Sequence, residues 1–97
     1  MARAGSATAL VAALERELEV LATREALAYW ALATAASRQA QDAYAKARSA
    51  LRRFLSQKDV FREIVAAREA IDRGAQEILS RQLDILYNLF LPNQVDE

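Results

Sequence analysis

Apolar residues recur along this chain at helical spacing and nowhere with the alternation of a strand. Leu10, Leu14, Leu18, Leu21, Ala28, Leu32 and Ala35 fall on one stripe, separated by three, four or seven residues. Glu25 lies on the same stripe, so the seam is not purely apolar. The pattern predicts a first helix over about 7–36, entered after Gly5-Ser6 with Ser6 or Thr8 as N-cap. Thr34 and Ser37 mark its end, because their hydroxyls compete for local backbone groups and Ser can cap a new helix. A second helix over 38–55 shows a narrow face of small residues, Ala40, Ala43, Ala47 and Ala50, joined by Tyr44, Leu51, Phe54 and Leu55.

Ser56-Gln-Lys-Asp59 reads as a break, with Ser56 able to cap and Asp59 placed to meet the helix dipole. A third helix, about 57–72, presents Val60, Phe61, Ile64, Ala67 and Ile71. Asp72-Arg73-Gly74 interrupts it, with Gly74 able to take the left-handed conformation after a helix end. A fourth helix, about 76–91, stops at Pro92. The break near Gly74 could be a kink, but two helices fit better. The expected fold is all-α, three to four helices in an antiparallel bundle or extended hairpin, and residues 1–97 form one helical region.

Composition supports that reading. Residues 7–91 contain one Gly and no Pro. Ala, Leu, Arg, Glu and Gln dominate, and these lose little rotamer freedom in a helix. Of the apolar residues 22 are Ala, which leaves a modest stock of bulky side chains for a core. A domain of this size buries only about 60–65 % of its unfolded surface.

Two features fit poorly with a self-sufficient bundle. At 100° per residue Trp30 lies about 200° from Leu10, on the wet face of Glu15, Glu19 and Thr23. It is therefore either covered by a kink or another helix, or it is a docking residue. The fourth helix is apolar nearly all round in Tyr87-Asn-Leu-Phe-Leu91. A helix of that kind is normally buried on every side. Trp30, Leu86, Tyr87, Leu89, Phe90 and Leu91 are accordingly the candidate packing or interface residues, with a larger body or an oligomer as their partner. The polar end Gln94-Val95-Asp96-Glu97 has no closing element, so the chain is either naturally tailed or continued.

Charge excludes more than it suggests. Thirteen basic and thirteen acidic residues cancel, unlike the strongly basic balance of a dedicated nucleic-acid binder. The sum hides a gradient: −1 over 1–37, +5 over 38–62 and −4 over 63–97. The basic stretch Arg38 to Arg62 spreads round more than one face, with no interleaved aromatics for base stacking. No nucleic-acid partner and no membrane partner are expected, since no stretch approaches the ~20 apolar residues of a span. The Ala-rich start resembles a signal peptide only faintly and lacks a convincing cleavage site. With no Cys to indicate an oxidising compartment, a cytoplasmic location is the expectation.

Chemistry is constrained further. Neither Cys nor His is present, which removes thiolate nucleophiles, imidazole acid–base work and the usual zinc ligands. Carboxylates at helical spacing, Glu15/Glu19, Asp59/Glu63 and Glu69/Asp72, lie mostly on polar faces near Arg, as in Glu69/Arg73. They read as solvated surface with weak ion pairs. The two glycines are far apart, so no phosphate loop exists. No catalytic, cofactor-binding or metal-binding residue is assigned.

Two stretches carry a family resemblance. Ala28-Tyr-Trp30-Ala-Leu-Ala-Thr34, late in a long first helix, resembles the N-terminal helices of zinc peptidases of the angiotensin-converting-enzyme and oligoendopeptidase type. Arg81-Gln-Leu-Asp-Ile-Leu-Tyr87, followed by Leu91-Pro-Asn93-Gln94, resembles a later segment of their bacterial members, where an Arg-Gln-Leu helix leads into a loop containing Asn-Gln. The spacing of the two segments and the helical content between them agree as well, so the resemblance extends over most of 8–97. The resemblance implies a non-catalytic cap beside a cleft for short peptides, with zinc held by a His-Glu-x-x-His helix in the remainder of the parent peptidase. This sequence departs decisively in having no His, so no zinc ligand transfers to it. The alternative is a stand-alone helical module that self-associates as a homo-oligomer or binds a partner helix.

Overall fold

The computed structural model describes residues 6–94 and contains four α-helices with a closing 3₁₀ turn. Helix α1 spans Ala7–Thr34, α2 Arg38–Leu55, α3 Lys58–Ala70 and α4 Glu77–Phe90, followed by Leu91–Asn93. No strand occurs among the described residues. The expected starting residues 1–5 and the tail 95–97 lie outside them.

Local chemistry accounts for each boundary. Ser6 caps α1, its hydroxyl oxygen accepting from the Ala9 amide at 3.2 Å. Thr34 ends the helix by donating its hydroxyl to the carbonyls of Trp30 (3.0 Å) and Ala31 (3.3 Å). Ser37 then caps α2, accepting from the Ala40 amide at 3.1 Å. Two serines thus satisfy amides that would otherwise lack partners.

Two turn assignments differ from expectation. Ser56 closes α2 rather than opening α3: its hydroxyl donates to the Arg52 carbonyl at 2.7 Å. Gln57 stands at the start of α3 without a side-chain cap. Between α3 and α4 no described glycine has positive φ. The chain turns on Asp72 instead, whose Oδ1 accepts from the amides of Gly74 (3.0 Å) and Ala75 (3.2 Å). An aspartate hydrogen-bonding two and three residues ahead imitates a backbone turn, so a left-handed residue is not needed. Helices α3 and α4 are consequently separate elements, Ile71–Gln76 joining them.

The molecule divides into a head and an arm. In the head, Leu10, Val11 and Leu14 from α1 meet Phe54 from α2, Val60 and Ile64 from α3, and Leu79, Leu83, Leu86 and Phe90 from α4. Phe54 and Phe90 pack edge to face, with ring centroids 5.4 Å apart. Val11, off the sequence stripe, is as buried as Leu10 and Leu14, and α1 packs on α4 as well as on α2. Gln94 ties the last turn to α2, its Nε2 donating to the carbonyls of Leu55 (2.7 Å) and Phe90 (3.1 Å).

Beyond Leu21 the first helix continues alone with α2 as an antiparallel hairpin. That arm contains one buried hydrophobic residue, Ala47. Tyr29 leans on Tyr44 across it, ring centroids 5.7 Å apart. The arm makes the protein long, 50 × 31 × 22 Å with a radius of gyration of 15.8 Å. A compact chain of this length would have about 12.5 Å.

Candidate docking surface

The residues singled out in the sequence separate into two groups. Leu86 and Phe90 are wholly buried in the head, and Tyr87 is half-buried, stacked on Phe61 at 5.4 Å. The chain therefore covers these three largely with its own helices. Leu89 and Leu91 are exposed, and Trp30 is 67 % exposed on the arm. The predicted all-round apolar segment is thus apolar inward at 86 and 90 and outward at 89 and 91.

The exposed residues extend patterns already present. On α1, Val20 and Leu27 are seven residues apart and both exposed, and Trp30 lies one turn further on. On α4, Ile78, Ile85 and Leu89 form one line on the outer face, with Ile78 76 % exposed. Single exposed apolar residues are ordinary; lines of them rimmed by polar residues mark contact surfaces.

A groove runs between α1 and α2 from the head onto the arm. At the head end a cavity of about 670 Å³ is walled by Arg16, Glu17, Val20 and Leu21 on one side and Ala50, Arg53, Phe54 and Gln57 on the other. It continues past Arg24, Lys46 and Ser49 to Ala28, Asp42 and Ala43. The lining is mainly apolar at the head end and more polar about Arg24, Lys46 and Ser49, and the rims carry four cations, Arg16, Arg24, Lys46 and Arg53, against two carboxylates, Glu17 and Asp42. Periodicity places each of these residues on a helix face. It does not reveal that the faces of two helices join into one trough.

The best-formed polar cluster lies on the head. Asp84 receives Arg68 Nε at 3.0 Å and Arg73 Nη2 at 3.2 Å, and Arg73 also donates to Ser80. Arg68 Cζ lies over the Tyr87 ring, 3.9 Å from its centroid. The two guanidinium groups, Arg73 first, hold the Asp84 carboxyl below its usual value of 3.8. This cluster fastens α3 and the connection after it to α4, through Arg68 and Arg73 respectively. Helical spacing pairs Arg73 with Glu69; Asp84 lies on α4, eleven residues on, so nothing local signals the pair.

Among the described residues no three His, Cys, Asp or Glu side chains gather as a metal site. No described helix is long and apolar enough to cross a membrane. Compared with family models, curated proteins and solved structures, the chain matches none.

Proposed function

We propose that this chain is a non-catalytic helical docking module that works through its arm. The carrying observation is the arm's composition: Leu27 and Trp30 stand exposed on it, with Val20 exposed where it leaves the head, while the one fully covered apolar residue of its own seam is Ala47. Bulky residues that could have filled that seam are turned outward, where only another molecule or segment can cover them. In isolation the same surface drives self-association into a homo-oligomer, with the outer face of α4 as a second contact. The cytoplasm is the proposed compartment, on the lack of Cys.

Sedimentation velocity over a concentration series tests this. The wild type should associate, and a V20S/L27S/W30S variant should remain monomeric with unchanged helicity. A wild type that stays monomeric and binds no hydrophobic dye would contradict the reading.

A second reading gives the docking surface a specific owner, the remainder of a zinc peptidase of the oligoendopeptidase type. What favours it is placement: the two segments that resemble those peptidases, 28–34 and 81–94, are the ones bearing exposed Trp30, Ile85, Leu89 and Leu91. Under it the chain is a cap or lid, inactive alone, and zinc belongs to the parent rather than to any residue here. The coding sequence beyond Glu97 decides the matter. A downstream His-Glu-x-x-His helix supports the peptidase reading, and a stop codon removes it.

A further inference from the structure

We infer that the groove between α1 and α2 receives an acidic amphipathic helix of three to four turns, an inference that rests on the docking reading above. Length comes first. The α1 wall runs from Arg16 to Ala28, which at 1.5 Å per residue is about 18 Å, or three turns and a little more. Width follows from the α2 wall, where Ala43 and Ala50 replace bulky side chains and let a helix backbone come close. Apolar contact at the head end is supplied by exposed Val20 and half-buried Leu21, over the covered edge of Phe54.

Charge then selects the occupant. Arg16 and Arg24 stand on one rim and Lys46 and Arg53 on the other, an excess of two positive charges after Glu17 and Asp42 are counted. A helix seated between those rims presents a flank to each, so its flanks should be acidic and its inward stripe apolar. A second copy of α1 fits this poorly. Its groove-facing side repeats Arg24, and an antiparallel pair would bring the two copies of that arginine together near the centre. Like charges at such an interface oppose association.

The probe is a fluorescein-labelled synthetic peptide of about 14 residues, with leucines at i, i+4, i+7 and i+11 and glutamates on both flanks. Its control carries lysine at every glutamate. By anisotropy at low salt the wild-type chain should bind the glutamate peptide, and the lysine peptide at least about tenfold more weakly. Added salt should weaken the first interaction. An R24E/K46E/R53E variant should reverse the preference, and K46E alone should shift it in the same direction should the triple variant lose helicity. Equal binding of both peptides, no binding of either, or an unchanged preference in the charge-reversed chains overturns the inference. If the groove fails while V20S/L27S/W30S still abolishes self-association, the occupant is wrong and the docking module stands. If both fail, the docking reading falls as well.

Discussion

The head and the arm share one helical spacing of apolar positions, yet they are held together differently. In the head, four helices meet and six large side chains, Phe90, Leu14, Ile64, Leu83, Leu86 and Val60, are shielded from water essentially completely. In the arm, two helices touch along one seam, and the single fully covered apolar residue is Ala47. Two helices can bury only the stripe between them, whereas four can cover more than one face of each. One continuous helix, α1, belongs to both regions. Its first half is core and its second half is scaffold for a surface.

The largest expected effect is in the head. Leu83→Ala removes a buried side chain in a well-packed site and should cost about 3 kcal/mol in urea unfolding. That is a large part of the roughly 5–15 kcal/mol available to a small domain. Leu32→Ala, the matching truncation on the half-covered arm, should cost no more than about 1 kcal/mol. Equal destabilisation at both sites would erase the distinction.

Overpacking gives the reverse probe. Ala47→Leu should prise α1 from α2 and cost about 1–3 kcal/mol. The damage should stay in the arm, where the rings of Tyr29 and Tyr44 move apart while the α4 amides keep their protection. Collapse of the whole fold would show that the arm is part of the cooperative core. Ser37→Ala removes the cap of α2 and should cost about 1 kcal/mol, again confined to the arm and visible as faster amide exchange near residues 38–41.

Acid acts on the head through Asp84. Its carboxyl is held below its usual value by Arg73 and Arg68. The ionised form is favoured by folding, so this contribution is complete above pH 3.8 and disappears as pH falls further through the lowered folded value. Asp84→Asn should therefore melt earlier than wild type at neutral pH, and the gap should narrow in acid. A constant gap down to pH 2 would show that the Asp84 carboxylate does not stabilise the head. Because the carboxylate is partly exposed, this effect should be the smallest of these.

How much of this could be read from residues alone depends on the range of the interaction. Helix positions were legible because capping and propensity act over a few residues: Ser6 and Ser37 cap where the sequence suggests. Ser56 and Gly74 mislead for the same local reason. A serine can close a helix as well as open one, and Asp72 makes the turn that glycine was expected to make. The division of α1 was not legible at all. The stripe from Leu10 to Leu32 continues without a change in period, and nothing local says that α4 covers Leu10 while no helix besides α2 approaches Leu32. The groove was hidden likewise, since Arg24 and Lys46 belong to different helices and meet only after the hairpin forms. Trp30, by contrast, was placed on a wet face by angle alone, and it is exposed there.

One helix, α1, crosses from a four-helix core into an arm that only α2 covers. Native-state amide hydrogen exchange along α1 tests this division most directly. Amides of residues 11–20 should exchange only with global unfolding, as those of 80–90 do, while amides of 26–34 should open at far lower free energy. Uniform protection from residue 11 to residue 34 would contradict the account.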